Sequence, residues 1–101
     1  MRIEALECFH EIMKSGSIRQ AASSRYITQQ GLSKVVQSLE TELGVRLFQK
    51  RGRNIVPTAE GLILDEFAQE VIAAHTELHR RLKMIAVEED ASAVSNMPLY
   101  I

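Results

Sequence analysis

An apolar stripe between residues 28 and 53 limits the possible folds of this chain more than any other feature. Leu32, Val36, Leu39 and Leu43 follow one another at spacings of four, three and four residues, the period of a helix that buries one face. At about 100° per residue the other side is polar, with Gln30, Lys34, Gln37 and Thr41 opposite the stripe and Gln29 and Ser33 on its flank. The pattern predicts a helix that Thr28 caps and Gly44 ends.

Positive charge accumulates around this helix. The whole chain has a net charge of −1, yet residues 18–56 carry seven bases and two acids, and residues 57–101 carry three bases and eight acids. A local basic patch suits a polyanionic partner whatever the net charge of the chain. A merely solvated face is the alternative explanation of the same charges.

Two further helices are predicted on the N-terminal side of this polar-faced helix. Residues 3–14 place apolar side chains at helical spacing, namely Ile3, Leu6, Cys8, Phe9, Ile12 and Met13. Ser17 and Gln20 stand three residues apart, as in a capping box, and are expected to open a short helix. Ala21 and Ala22 of that helix turn inward, where small side chains allow another helix to cross close by.

A basic hairpin is predicted after the polar-faced helix. The apolar pairs Leu47-Phe48 and Ile55-Val56 flank Lys-Arg-Gly-Arg-Asn, with Gly52 at the turn and Pro57 closing the second strand. Because a two-stranded hairpin is not stable alone in water, it must pack on the helices. Phe48 is the expected anchor.

A long helix is predicted from about residue 58 to about residue 88, with Thr58 as its cap. Two interleaved seven-residue series form a 4-3 seam typical of paired helices, namely Leu64, Ala68, Val71, His75, Leu78, Leu82 and Ile85. About 30 helical residues span some 45 Å, so the far half of this helix has no partner in its own domain. We expect the seam to dimerise, most simply with a second copy of the chain.

Together these elements indicate a mainly α fold. Residues 1–57 are expected to form a winged helix-turn-helix of three helices plus a small two-stranded β-hairpin, and residues 58–88 a long dimerisation helix. Residues 89–101 are expected to be a linker and the start of another domain. The sequence has no membrane-span run, no signal-peptide cleavage pattern and a single cysteine. These features predict a cytoplasmic protein without a membrane partner. The sequence also has no phosphate-binding glycine loop, and no cofactor is predicted.

The polar face and the hairpin have the chemistry that double-stranded DNA requires. Amide side chains pair with adenine, Lys or Arg with guanine, and Ser or Thr with either base. The residues expected to read bases are Thr28, Gln29, Gln30, Ser33, Lys34 and Gln37. Those expected to bind phosphates or enter the minor groove are Arg19, Lys50, Arg51 and Arg53.

The stretch from Gly16 to Gly61 resembles the N-terminal domain of LysR-type transcriptional regulators. The shared motifs are Gly16-Ser17, Ala21-Ala22, Thr28-Gln29, Leu32-Ser33-Lys34, Leu39-Glu40, the run ELGVRLF, Gly52-Arg53, and Thr58 with Gly61. The resemblance covers residues 1 to about 88. It implies a bacterial, sequence-specific transcription factor that reads half-sites through its third helix and forms a homodimer, or a tetramer, through its long helix.

The resemblance also implies a large ligand-sensing domain beyond this chain, through which alone a small-molecule effector would act. Residues 98–101 resemble the first strand of that domain, so the chain is expected to be a shortened form. Gln30 and Gly31 depart from the proline and alanine that the family often has there. These departures leave the base preference open.

Other functions are also compatible with parts of the sequence. A winged fold can serve as a protein-interaction module, with the acidic long helix as a docking surface. His75 and His79 have the i, i+4 spacing of metal ligands, but no third ligand or catalytic group accompanies them, so neither a metal site nor an enzyme is predicted. Arg19 and Arg25 are either backbone contacts or plain surface. Tyr26 is expected to pack with its hydroxyl outward and not to contact phosphate.

Overall fold

The computed structural model describes the backbone of residues 1–92 and the side chains of residues 1–88. The elements are α1 Ile3–Ser15, α2 Ile18–Arg25, α3 Gln29–Leu43, β1 Phe48–Arg51, β2 Asn54–Pro57 and α4 Ala59–Ser92. This order confirms the predicted mainly α winged helix-turn-helix and its long last helix. The strand suggested for residues 98–101 lies outside the described residues. Across the described chain, no helix is long and apolar enough to cross a membrane.

Side-chain caps and left-handed residues define the helix ends. Ser17 accepts the backbone N–H of Gln20 at 3.1 Å and Thr28 accepts that of Gly31 at 2.9 Å, so both predicted N-caps are confirmed. In a full capping box the Gln20 side chain would accept the backbone N–H of Ser17. Here that N–H donates to the Ser15 hydroxyl at 3.3 Å instead. Ser17 thus fixes where α2 begins, and Thr28, in the short turn between α2 and α3, fixes where α3 begins.

One apolar core joins the three helices of the domain to the hairpin and to the start of α4. Phe9, Ile12, Leu32, Leu39 and Leu47 are its largest fully buried side chains. The ring of Phe48 lies 5.3 Å from that of Phe9, centroid to centroid, which confirms Phe48 as the residue that anchors the hairpin. A tilted aromatic pair of this kind adds a favourable contact beyond its buried area.

The structure corrects two predictions of burial. Leu43, the last residue of the predicted α3 stripe, is 39% exposed, because the helix ends there and the chain leaves the core at Gly44. Tyr26 was expected to pack, but it is 95% exposed. Its backbone adopts the left-handed conformation with φ 59° as it ends α2, so its side chain leaves the helix surface.

The hairpin and α4 meet at a backbone contact centred on Leu47. The N–H of Thr58 donates to the Leu47 carbonyl at 3.0 Å, and the Thr58 hydroxyl donates to the Arg46 carbonyl at 2.6 Å. The same hydroxyl accepts the N–H of Gly61 at 3.0 Å, which confirms Thr58 as the cap of α4. A side chain at position 61 would overlap the Leu47 carbonyl oxygen, so Gly61 is required by this close approach.

A polar contact joins α1 to α4 beside the core. The His10 Nδ1 atom lies 2.8 Å from the Asp65 carboxylate, whose second oxygen accepts the Gln69 amide at 2.8 Å. Asp65 is only 9% exposed, and a buried carboxylate without partners would be strongly unfavourable. The bond from His10 to Asp65 therefore helps to fix how α4 lies against α1, and Gln69 supports the same carboxylate from within α4.

We predict that Gly61→Ala lowers the free energy of unfolding by more than about 2 kcal/mol, because the new methyl group must displace backbone. A urea titration followed by circular dichroism would measure the loss. Leu62→Ala is the matched control, since Leu62 is 54% exposed on the same helical turn. Equal stability of the two variants would contradict the role of Gly61.

Candidate nucleic-acid interface

The outward face of α3 is polar and accessible, as the sequence predicted. Within the base-reading set, Ser33 is half-buried and the other members are exposed, namely Thr28, Gln29, Gln30, Lys34 and Gln37. The opposite face holds Leu32, Val36 and Leu39 in the core. Burial of that stripe fixes the rotation of the helix, so the amides and hydroxyls project away from the protein.

A cleft between α3 and the hairpin brings part of the predicted site together. Ser33 and Gln37 line it from the helix, and Gln49 and Lys50 line it from the hairpin. Lys34 lies on the other edge of α3, in a groove that Arg2 of the α1 side also lines. The helix therefore has a hairpin-side row and a separate α1-side edge, a division that the sequence did not reveal.

The carboxylate of Glu40 links the hairpin to α3. It accepts the backbone N–H of Leu47 at 2.8 Å and lies 3.7 Å from the Arg46 Nε atom. Leu47 is fully buried, so its N–H has no access to water in place of this acceptor. Glu40 thereby sets where the hairpin stands beside the polar face of α3. Sequence reasoning gave it no role, because a backbone partner leaves no sequence signal.

Most cations of the basic segment have no carboxylate partner among the residues that the structure describes. All five at the proposed interface are exposed, namely Arg19, Lys34, Lys50, Arg51 and Arg53. Among the described residues, none of the five lies within 4 Å of a carboxylate. Arg25 differs, because its guanidinium donates to Glu7 at 3.2 Å. That pair braces α2 against α1 and assigns Arg25 a structural role. The five free cations are available for an external anion.

The long helix α4 is divided between its own domain and solvent. Leu64 and Ala68 are buried in the single chain, at 7% and 0% exposed. These first two positions of the predicted seam already pack inside the core of the single chain, so they offer little surface to a partner. Large apolar side chains exposed on the rest of the helix include Ile63, Phe67, Leu78, Leu82, Met84, Ile85 and Val87.

Charged and imidazole groups occupy other parts of α4. Arg80 donates two hydrogen bonds to Glu77, at 2.9 and 2.7 Å, and this contact lowers the pKa of Glu77 and raises the pKa of Arg80. The His75 and His79 rings lie 4.5 Å apart, centroid to centroid. In the part of the chain that the structure describes, no group of three or more His, Cys, Asp or Glu side chains is placed to hold a metal.

Comparison with known proteins identifies the domain. A model of the bacterial regulatory helix-turn-helix proteins of the lysR family matches residues 3–62. The transcriptional regulator DgcR of a Pseudoalteromonas species is 38% identical over 64 residues, which cover 63% of this chain and 22% of the relative. The glycine cleavage system transcriptional activator of Escherichia coli K12 is 31% identical over 98 residues, 97% of this chain and 32% of the relative. The chain thus spans between about a fifth and a third of the length of these curated relatives.

Solved structures share the same architecture. The BenM_DBD/catB site 1 DNA complex superposes with a TM-score of 0.81 at 29% identity, covering 85% of this chain and 97% of that one. The CbnR_DBD–DNA complex superposes with a TM-score of 0.78 at 27% identity, covering 85% and 99%. Both comparisons extend the likeness beyond the hairpin and into the long helix.

We predict that Glu40→Ala lowers the free energy of unfolding by about 1–3 kcal/mol, because it leaves the buried Leu47 N–H without an acceptor. Thermal and chemical unfolding would measure the loss. Thr41→Ala is the control, since Thr41 is exposed one residue further along α3. A Glu40 variant as stable as this control would show that the carboxylate does not hold the hairpin.

Proposed function

Because the chain belongs to the LysR family of bacterial regulatory helix-turn-helix proteins, we propose that it is the DNA-binding part of a sequence-specific transcriptional regulator. The observation that carries the proposal is one accessible surface. It combines the polar face of α3 with exposed hairpin cations that have no carboxylate within 4 Å in the described part of the chain. Action on chromosomal DNA makes a cytoplasmic location part of the same proposal.

In this proposal α3 lies in the major groove and reads base edges. Gln29, Ser33 and Gln37 fall within about 80° of one another around the helix, so one row of amides and a hydroxyl faces one strip of the groove. Amide side chains are suited to adenine, and Lys34 on the adjacent edge is suited to guanine. Thr28 and Gln30 lie in the first turn and complete the base-reading set.

The hairpin acts as a wing that supplies affinity without reading sequence. Lys50 lines the cleft beside α3, while Arg51 and Arg53 flank the turn at Gly52. Their exposed positions suit phosphates or the adjacent minor groove. Arg19 near the start of α2 is a fourth candidate phosphate ligand. Contacts of this kind release counterions and make binding depend on salt.

A second copy of the chain is the proposed partner of α4. At about 1.5 Å per residue, its 34 residues span about 51 Å, and the buried or partly buried apolar residues of the core end at Ile72. Past that point the large apolar side chains are exposed, which is typical of an interaction surface. The homodimer predicted from the sequence therefore remains our proposal, with a revised interface.

The revised interface keeps one heptad series and changes the other. The interface retains Val71, Leu78 and Ile85 of the first series. In the second series Phe67 and Ala74 replace Ala68 and His75, and Leu82 lies at the flank of the stripe. At about 100° per residue, this stripe is turned by roughly 100° from the side of α4 that faces the core. Near the domain it continues into a mostly apolar groove lined by Met1, Leu43, Val45, Leu47, Ile63, Leu64 and Phe67, together with Glu60. The exposed Leu43 thus gains a role as part of the surface that the second copy covers.

We predict that Gln29→Ala and Lys34→Ala each weaken binding to the preferred site by about 1–3 kcal/mol and relax base preference. Selection of bound sequences from a random duplex pool would identify that site, and titrations by fluorescence anisotropy would measure the losses. Arg53→Ala should weaken all duplexes similarly and reduce the salt slope by about one. Its expected behaviour separates backbone contacts from base contacts.

Two outcomes would contradict this function. Affinity for duplex DNA that does not change between low and high salt would exclude phosphate binding by the wing. Equal affinity of wild type and the Gln29 and Lys34 variants for the selected duplex would exclude base reading by α3. The chain would then be better described as a protein-interaction module that uses the same scaffold.

We predict that Leu78→Asp converts the dimer to monomers, because it places a charge in the middle of the apolar stripe. Sedimentation velocity at matched concentrations would measure the change. Leu62→Asp is a matched control, since Leu62 is 54% exposed and Leu78 is 53% exposed, but Leu62 lies on the opposite side of α4. A Leu78 variant that stays dimeric would place the interface elsewhere.

A further inference from the structure

Tyr26 has a backbone conformation that suits few residues with a side chain. Its φ is 59° and its ψ is 40°, and it is the single non-glycine residue with positive φ in the described chain. The helix ends at Gly16 and Gly44 adopt the same conformation with glycine, at φ 74° and 71°. A Cβ atom is disfavoured there, because it crowds the following carbonyl oxygen. The end of α2 therefore accepts backbone strain that the other two helix ends avoid.

Packing within the folded chain does not explain why residue 26 is a tyrosine. The side chain is 95% exposed, and within the described residues its hydroxyl has no hydrogen-bond partner. By contrast, Phe9 and Phe48 lie together in the core. The bonds that end α2 come from the Tyr26 backbone N–H, which donates to the carbonyls of Ala22 and Ser23, and any residue but proline could make them. A strained, fully exposed aromatic residue points to a function outside the folded chain.

The position of Tyr26 suggests what that function is. It stands in the turn between α2 and α3, two residues before Thr28, the N-cap of α3. Two residues of backbone reach at most about 7 Å, so the ring starts close to the first turn of the proposed base-reading helix. A DNA strand that borders the groove around this turn would pass near it. Tyrosine hydroxyls are among the common donors to phosphate oxygens.

We propose that the Tyr26 hydroxyl donates a hydrogen bond to a backbone phosphate beside the groove that α3 occupies. This inference rests on the proposed DNA-binding function and adds a neutral phosphate ligand to the four cationic ones. A neutral donor forms a directed bond but releases no counterion of its own. Tyr26 thus contributes to the orientation of α3 and not to the salt dependence of binding.

The test compares Tyr26→Phe, Tyr26→Gly and Ser24→Ala, with Ser24 exposed nearby in α2. We expect Tyr26→Phe to weaken binding roughly tenfold to a hundredfold, the loss of one hydrogen bond to a charged group. The loss should be equal on the selected duplex and on an unrelated duplex, with an unchanged salt slope. Tyr26→Gly should bind as weakly but melt at or above the wild-type temperature, because glycine relieves the strain. Ser24→Ala should match wild type in both measurements.

A duplex scan gives a second readout. Replacing single phosphates by neutral methylphosphonates should reveal one position that weakens wild type but not Tyr26→Phe. Wild-type affinity of Tyr26→Phe, or a lower melting temperature of Tyr26→Gly, would overturn the inference while leaving DNA binding intact. If wild type binds no duplex at all, the proposed function itself has failed.

Discussion

The arrangement of the proposed interface depends on the backbone around Leu47. Its side chain is fully buried, its N–H donates to the Glu40 carboxylate, and its carbonyl accepts the N–H of Thr58. One residue thus joins the end of α3, the base of the hairpin and the start of α4. Gly61 makes this junction possible, because its missing side chain leaves space for the Leu47 carbonyl. The positions of the wing and of α4 relative to α3 are both determined here.

The junction around Leu47 places the hairpin beside the polar face of α3, so that the two form one accessible surface. Amides and hydroxyls on an isolated helix would face solvent in all directions, whereas here the buried Leu32, Val36 and Leu39 present one side of α3 outward. The hairpin then stands beside that side and places Lys50 in the cleft with Ser33 and Gln37. Base-edge chemistry and phosphate chemistry therefore lie on one continuous surface, which suits a groove bordered by a charged backbone.

The sequence predicted the elements, the core stripe of α3 and the exposure of the polar set, because helical periodicity and capping side chains are local signals. It was ambiguous where the same spacing is compatible with two kinds of contact. Leu64 and Ala68 share the heptad spacing of α4 with Leu78 and Ile85 but are buried in the domain, and periodicity alone cannot separate an internal contact from an external one. It gave Glu40 no role, since the partner of that carboxylate is a backbone N–H seven residues away.

The contact of His10 in α1 with Asp65 in α4 has a mechanical consequence. Packed methyl groups can slide past one another at small cost, but hydrogen bonds hold only over narrow ranges of distance and angle. Turning or shifting α4 against α1 by a single residue would break the His10–Asp65 bond and leave a buried carboxylate with the Gln69 amide of its own helix as its remaining partner. A rotation applied at the far end of α4 is therefore transmitted to the three-helix unit as rigid-body motion, because α4 slides little against α1.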